Sequence, residues 1–188
     1  AAIAAAETLA KLEDIYQPFK PKRRTRATVA REKGLESLAA FIFENQSSDC
    51  SEKAAEYISA EKDVPDVAAA LAGARDIIAE TISDDAPARQ AMRECFEQNA
   101  VMSSKILTGK EEEGAKYRDY FNWSESAKTA PSHRILAVRR GEAEGFLIMR
   151  VIPEEAPAIE KLKQMYVKGS GEAAAQVALA VEDSYKRL

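Results

Sequence analysis

The segment DVAAALAGARDIIAETIS places Val67, Leu71, Ala74, Ile77 and Ile78 at intervals that repeat every three to four residues. This spacing gives one apolar stripe on an α-helix, whereas the side chains of a β-strand alternate between two faces. Comparable segments follow one another along most of the chain and are separated by short polar connections. The sequence therefore predicts a mostly α fold, a multi-helical array in which amphipathic helices pack side by side.

Composition agrees with a helical, globular chain. Aromatic residues make up only 7% of the 188 residues, while alanine and long charged residues, which favour helix, are abundant. The two cysteines, Cys50 and Cys95, lie far apart, so neither a disulfide framework nor a CxxC zinc site is indicated. No apolar run approaches the roughly 20 residues that cross a bilayer. We therefore expect a cytoplasmic protein that does not contact the membrane.

One short segment departs from the helical pattern. FLIMRVIP is apolar and β-branched and is bounded by Gly145 and Pro153, which predicts a β-strand. A single strand cannot satisfy its own backbone hydrogen bonds, and the nearby sequence KILT at residues 105–108 is the plausible partner. We therefore expect a small two-stranded β element formed by residues 105–108 and 146–152.

Residues 25–44 predict two short helices joined by a tight turn. Ala30, Gly34 and Leu35 fit the small residue, glycine and apolar residue of a helix-turn-helix core. The second helix, ESLAAFIF, is acidic and then apolar, whereas a recognition helix offers polar and basic side chains to base edges. A helix-turn-helix-like hairpin is thus predicted, and its role as a groove reader or as an ordinary helical hairpin stays open.

Positive charge is concentrated between residues 20 and 33, the basic segment. It holds seven basic residues and one acid, +7 − 1 = +6, in a chain of net charge −4, so the remainder sums to −10. The segment begins as an extended connection, because Pro18 and Pro21 disfavour helix before them, and it continues into a helix that Thr25 or Thr28 can cap. The candidate phosphate contacts are Lys20, Lys22, Arg23, Arg24, Arg26, Arg31 and Lys33.

Two roles of the basic segment remain open at this point. Neutralising phosphates releases counterions, so such a segment can bind nucleic acid without reading its sequence. Alternatively, the same arginines pin neighbouring helices through carboxylates and carbonyl ends. Cationic groups in solvent favour binding, whereas buried and paired ones favour bracing. A second, weaker basic cluster consists of Arg134, Arg139 and Arg140.

The sequence offers little for catalysis. His133 is the only histidine and lacks both a second histidine at metal spacing and a nucleophile motif, so we interpret it as a capping or packing residue. The acidic runs KEEEG and PEE are typical of solvated faces. GxxxxGK[ST] and GxGxxG loops are absent. We expect no enzymatic activity, no metal and no cofactor.

Three blocks of the sequence, in the same order and at similar spacing, resemble the Tex family of bacterial transcription accessory proteins, which are related to a eukaryotic elongation factor. The blocks are LEDIYQPFKPKRRTRATVAREKGLESLA, GKEEEGAKYRDYF and APSHRILAVRRGEAEGFL. The resemblance implies a longer parent with an N-terminal helical region containing a helix-turn-helix, a YqgF domain of RNase H-like fold, helix-hairpin-helix motifs and a C-terminal S1 domain. That S1 domain is expected to carry most nucleic-acid binding.

This chain lacks both a GxDPG-like start of an RNase H-like sheet and an S1 β-barrel pattern, and both of its ends fall within helical patterns. We therefore expect a piece of a longer protein that precedes the YqgF domain. The resemblance then implies a Tex-like helical region over residues 1–152 and a helical extension toward the YqgF domain over residues 153–188.

The resemblance leads to two functional hypotheses. The first is a nucleic-acid-associated module of an RNA-binding transcription accessory protein, with weak RNA or DNA binding through the basic segment. The second is an architectural or protein-binding scaffold that positions the YqgF, helix-hairpin-helix and S1 domains and uses the same arginines in salt bridges. The implied partners are nucleic acid, the transcription machinery and the downstream domains of the same chain.

Overall fold

A computed structural model describes residues 3, 6–20 and 23–188, which form two compact units. The helical unit comprises Ala1–Met92 and Ile159–Leu188, and the sheet unit comprises Arg93–Ala158. Helices dominate the described residues, and a small antiparallel sheet occupies the sheet unit. The predicted mostly α fold is therefore confirmed.

The helices follow one another with short connections, as the repeated amphipathic pattern predicts. In chain order they are α1 Leu9–Tyr16, α2 Arg26–Glu32, α3 Glu36–Glu44, α4 Ser51–Ala55, α5 Val67–Asp84, α6 Ala86–Asn99, α7 Ser132–Ala143, α8 Glu155–Tyr166 and α9 Glu172–Tyr185. Two 3-10 turns, Gln17–Phe19 and Ala115–Tyr120, accompany these helices. Helix α6 begins in the helical unit and ends in the sheet unit, and α8 returns the chain to the helical unit.

Local sequence signals define the hairpin of α2 and α3. The Thr25 side chain accepts a hydrogen bond from the Thr28 backbone N–H at 3.1 Å, which caps α2 as predicted. Gly34 follows α2 with φ of 80°, a left-handed conformation that glycine adopts without steric cost. The chain thus turns sharply and starts α3 within a few residues.

The core of the helical unit lies around α5, which packs against α2, α3, α4 and α9. The predicted stripe of α5 faces this core, since Leu71, Ala74, Ile77 and Ile78 are buried. Several helices also bury alanines, which lets their axes approach closely. The largest fully buried side chains of the unit include Leu35, Leu38, Ile42, Ile82, Leu162, Val177 and Val181.

A polar clasp joins the loop after α3 to the connection between α8 and α9. The buried side chain of Gln46 donates to the carbonyls of Phe43 and Tyr166 at 3.1 and 2.8 Å and accepts from the Lys168 backbone N–H at 2.7 Å. Gly171 lies so close that a Cβ atom there would be 2.7 Å from the Ser47 carbonyl carbon. This close approach fixes the start of α9.

The sheet unit is built on three antiparallel strands. They are β1 Ala100–Ile106, β2 Asn122–Ser126 and β3 Leu147–Pro153, in the order β2-β1-β3. The register pairs Ser104 with both Trp123 and Met149. The predicted pairing of the KILT segment with FLIMRVIP is therefore present.

The strand β2 was not expected, and β1 starts earlier than the predicted residues 105–108. The sequence of β2, NWSES, contains one apolar residue, so it lacks the β-branched apolar pattern that marks a strand. Its Trp123 is the residue that faces the core, while the flanking polar side chains are exposed. The element is thus a three-stranded sheet rather than a two-stranded one.

The core of the sheet unit is aromatic. Tyr117, Val138 and Leu147 are buried at its centre. Partly buried side chains pack around them, namely Ile106, Tyr120, Phe121, Trp123, Phe146 and Met149. Tyr120 and Trp123 meet edge to face with ring centroids 5.9 Å apart. The 3-10 turn Ala115–Tyr120 and helix α7 supply the side chains that cover one face of the sheet.

The predicted regions 1–152 and 153–188 concern the longer parent protein and stay a prediction. The compact units of this chain have other limits, because α8 and α9 bring residues 159–188 back to the helical unit.

Candidate functional site

The basic segment passes from the 3-10 turn after α1 into helix α2. Lys20 adopts an extended conformation at the end of that turn, as the flanking prolines predict. The Thr25 cap then starts α2, so Arg26 and Arg31 project from a helix that packs on α5. The predicted contact Lys22 lies outside the described residues.

The strongest tie of the segment connects α2 to α5. Nη1 of Arg31 lies 2.6 Å from Oε2 of Glu80, and the Thr25 hydroxyl donates to Oε1 of the same carboxylate at 2.9 Å. The Glu80 side chain is 7% exposed and that of Arg31 is 35% exposed. A buried carboxylate needs such partners, because removal from water disfavours its charged form.

Arg26 reaches a second group of acids near the end of α9. Its guanidinium contacts Asp183 at 2.9 Å and Asp76 of α5 at 3.3 Å, and Arg187 contacts the same two carboxylates. Burial raises the pKa of Asp183, but Arg187 and Arg26 outweigh it and hold that pKa below its ordinary value. These four side chains tie α2, α5 and the C-terminal end of α9 together.

The remaining paired cations contact exposed acids. Nζ of Lys33 binds both the carboxylate and the carbonyl oxygen of Asp63, at 2.8 and 2.7 Å. Its hydrogen bond and its charge hold the pKa of Asp63 below the ordinary value. Arg24 contacts Glu32 at 2.8 Å, and both side chains are mostly in solvent. Exposed pairs of this kind contribute about 1 kcal/mol or less to stability.

Lys20 and Arg23 differ from the other cations of the segment. Both are exposed, and within the part of the chain that the structure describes neither has a carboxylate within 4.0 Å. Of the six predicted contacts that are described, four are therefore in ion pairs and two are free in solvent. The described cations of the basic segment thus divide into a bracing part, Arg24, Arg26, Arg31 and Lys33, and a free part, Lys20 and Arg23.

A cavity of about 740 Å³ in the helical unit lies next to the bracing part. Its lining includes Asp14, Arg31, Glu80, Asp84, Asp85 and Tyr166. Asp14 is buried and contacts Arg89 at 2.7 Å. The Tyr166 hydroxyl donates to Asp85, and burial together with this hydrogen bond raises the pKa of Tyr166 above its ordinary value. Among the described lining residues four carboxylates face one guanidinium, so the cavity does not suit a phosphate.

The second basic cluster, in the sheet unit, also consists largely of paired residues. Arg134 contacts Glu125 at 2.8 Å and Arg139 contacts Glu142 at 2.6 Å. Oε2 of Glu125 is buried without a hydrogen-bond partner. His133 is exposed, and α7 is capped by Pro131 without a side-chain hydrogen bond. The predicted capping or packing role of His133 is therefore wrong, because no side-chain hydrogen bond caps α7 and the residue is exposed.

Sequence reasoning missed the acidic partners of the basic segment. Glu80, Asp183 and Asp63 lie 30 to 157 residues from the cations that they bind. Sequence position gave no warning that Glu80 is buried and needs a partner, because two residues after Ile78 it lies about 200° around the helix, outside the predicted apolar stripe. Nothing in the sequence identified that partner as Arg31.

Two further observations concern the rest of the described chain. Within residues 3, 6–20 and 23–188, the structure contains no helix with the length and apolarity that a bilayer crossing requires. These residues also bring together no group of three or more His, Cys, Asp or Glu side chains suited to a metal ion. The expectations of no catalysis, no metal and no cofactor stay predictions.

Comparison with known proteins gives consistent matches. Residues 45–184 match the family model described as Tex central region-like. The chain is 48% identical over 149 residues to Protein tex of Bordetella pertussis, covering 79% of this chain and 19% of that protein. It is 47% identical over 146 residues to Protein YhgF of Escherichia coli, covering 78% and 19%. It is 39% identical over 163 residues to Transcriptional accessory protein Tex of Neisseria gonorrhoeae, covering 86% and 21%. The chain thus spans about a fifth of the length of these curated relatives.

Proposed function

This chain belongs to the Tex family, and from that premise we propose that it is a helical scaffold within a transcription accessory protein, in which the basic segment braces the helices. The scaffold positions the YqgF, helix-hairpin-helix and S1 domains that the family resemblance implies for the longer chain. The name of the Neisseria gonorrhoeae relative, a transcriptional accessory protein, supports the transcription-associated role.

The observation that carries this proposal is the tie between Arg31 and Glu80. It joins helices α2 and α5 through two residues that lie 49 positions apart in sequence, and its carboxylate is buried. Arg26 adds a tie to Asp183 of α9. A segment that served only as a phosphate contact would leave these guanidiniums without carboxylates, because an ion pair competes with phosphate for the same donors.

The proposal also covers the wider setting of the chain. We place the parent protein in the cytoplasm and assign this part of it no catalytic reaction. RNA or DNA binding by the parent, and its contact with the transcription machinery, stay predictions from the family resemblance. In this chain, the prediction of phosphate contacts at all seven cations competes with the ion pairs of Arg24, Arg26, Arg31 and Lys33.

Urea unfolding of single variants tests the bracing role. Arg31→Gln removes a charge that pairs with buried Glu80, and we expect it to lower the free energy of unfolding by about 1–3 kcal/mol. Arg23→Gln is the matched control, because it removes a guanidinium of the same segment that has no carboxylate nearby, and its effect should stay within about 0.5 kcal/mol. The far-UV circular dichroism signal, to which the helical unit contributes most of the helix, follows the unfolding.

A double-mutant cycle makes the test specific. Arg31→Gln and Glu80→Gln, alone and combined, should give a coupling energy of about 1 kcal/mol or more. Equal effects of Arg31→Gln and Arg23→Gln, with no coupling between Arg31 and Glu80, would contradict the proposal. In that case the basic segment contributes nothing to the scaffold, and its concentrated charge has to act on a partner.

A further inference from the structure

Exposed aromatic side chains lie directly beside the free part of the basic segment. Phe19 is 77% exposed and Tyr16 is 51% exposed, although most large apolar side chains of the chain are at least partly buried. Exposed aromatic groups next to one another are a common mark of a binding surface. The core packing of the helical unit gives neither ring a role, so their exposure requires another explanation.

The backbone places these two rings on one side of the molecule. Tyr16 ends α1 and Phe19 ends the 3-10 turn that continues it, and both Tyr16 and Gln17 have right-handed helical dihedral angles. Residues three apart in a continuous helical stretch lie on the same face. Lys20, which is extended, follows Phe19 directly, and Arg23 is three residues further along the sequence. Two aromatic rings and two free cations thus lie within eight residues.

The charge of this group is not compensated locally. Lys20 and Arg23 have no carboxylate within 4.0 Å among the described residues, whereas Arg26, Arg31 and Lys33 are all held by acids. The free cations therefore keep their hydrogen-bond donors for an anionic ligand. An anion with flat apolar groups between its charges matches both features, because it neutralises the cations and covers the rings.

We propose that Tyr16, Phe19, Lys20 and Arg23 form a contact site for single-stranded nucleic acid. The rings stack on unpaired bases, and the two cations bind the phosphates between them. A duplex fits less well, since its bases are already stacked on each other and cannot cover Tyr16 and Phe19. This site goes beyond the scaffold role and does not depend on it, because none of its four residues takes part in the ties to α5 or α9.

Leu9 provides the internal control for this site. It is 72% exposed and lies seven residues before Tyr16, so it shares the face of α1 with the aromatic rings. A docking surface for another protein would use Leu9, Tyr16 and Phe19 alike, because burial of apolar area drives such docking. A site for nucleic acid uses the rings and the cations but not Leu9.

Fluorescence anisotropy with a labelled oligouridine of about 12 nucleotides tests the site. At low salt we expect saturable binding by the full 188-residue chain, with Phe19→Leu and Tyr16→Ala each weakening the affinity by about 5- to 100-fold. Lys20→Gln should reduce the slope of log affinity against log salt by about 0.7. Leu9→Ala and Lys33→Gln should bind as the unchanged chain does, and a duplex of the same length should bind more weakly.

Three results would overturn the proposal. The first is no binding at a salt concentration of about 50 mM. The second is an unchanged affinity of Phe19→Leu, which would mean that the cations attract the oligouridine without any stacking of its bases on Phe19. The third is an equal loss for Leu9→Ala and Phe19→Leu, which would identify the face of α1 as a protein-docking surface. Circular dichroism confirms folding of each variant, and because all of these side chains except that of the paired Lys33 are exposed, the substitutions leave the core intact.

Discussion

The two units of this chain are held together in different ways. In the helical unit, polar ties join elements that are far apart in sequence, such as Arg31 with Glu80, 49 residues apart, and Gln46 with the Tyr166 carbonyl, 120 residues apart. In the sheet unit, the ion pairs are mostly local, and Arg139 and Glu142 are three residues apart. The pair of Lys116 and Glu144 is an exception, since it links the 3-10 turn to the end of α7.

This difference follows from how each unit fixes its elements. Strand register in the sheet unit is set by backbone hydrogen bonds, and aromatic rings fill the space below the sheet. Short helices with alanine-rich faces have no such register and slide more easily against one another. Buried polar groups with defined partners supply the missing specificity in the helical unit. Polar substitutions should therefore lower the free energy of unfolding most in the helical unit, and apolar truncations should lower it most in the sheet unit.

The largest expected effect is the loss of apolar volume in the sheet unit. Leu147→Ala removes a side chain that is 2% exposed at the centre of the aromatic core. We expect it to lower the free energy of unfolding by about 2–5 kcal/mol. The chain contains a single tryptophan, Trp123, so tryptophan fluorescence during urea unfolding reports on this unit. The control is Ile148→Ala, which truncates the exposed neighbour on the same strand. Equal losses for the two variants would mean that the aromatic core does not stabilise the unit.

The next effect concerns the clasp of the helical unit. Gln46→Ala leaves the Tyr166 and Phe43 carbonyls and the Lys168 N–H without their partner, and we expect a loss of about 2–3 kcal/mol. Asn45→Ala removes an exposed amide with one hydrogen bond, to the Phe41 carbonyl, and should cost less than about 1 kcal/mol. Circular dichroism at the helical band measures both. A small effect of Gln46→Ala would show that apolar packing alone positions α9.

Acid should weaken the polar contact between α9 and α4. The carboxylate of Glu172 accepts hydrogen bonds from the hydroxyl and N–H of Ser51 and from the N–H of Cys50. These bonds, that of the Ser51 hydroxyl above all, lower the pKa of Glu172 from 4.5 to about 2. Because the folded pKa is depressed, the stabilisation is complete above pH 4.5 and is lost as the pH falls toward 2.

The variant Glu172→Gln tests this pH dependence. We expect it to be less stable than the unchanged chain near neutral pH, with the difference shrinking between pH 4.5 and about 2. Glu52→Gln, at an exposed carboxylate of the same helix α4, is the control and should leave the acid profile unchanged. A difference between Glu172→Gln and the unchanged chain that is constant with pH would exclude an electrostatic tie.

The smallest effect is expected for a local pair of the sheet unit. Arg139→Gln breaks an exposed contact between residues three apart on α7, and it should change stability by less than about 0.5 kcal/mol. The useful comparison is with Arg31→Gln, which breaks a pair to a buried acid. A loss above about 1 kcal/mol for Arg139→Gln would remove the distinction between the two units. Tryptophan fluorescence again provides the measurement.

Much of the fold was predictable because it depends on neighbours in sequence. The stripe of α5, the Thr25 cap, the turn at Gly34 and the strand β3 all follow from spacing, side-chain chemistry and glycine or proline positions. The strand β2 was not predictable, since its polar sequence becomes a strand only when β1 offers an unpaired edge and Trp123 finds the aromatic core.

The sequence by itself determined that this chain is mostly helical, that its charge is concentrated before and within α2, and that its blocks resemble the Tex family. Only the tertiary structure decided which of those charges are available. Packing of α2 against α5 brings Arg31 to Glu80, and the return of α9 brings Asp183 to Arg26, while Lys20 and Arg23 are left in solvent. An ion pair requires two groups within about 4 Å, and the distance between residues far apart in sequence is set by the packing of helices rather than by either residue.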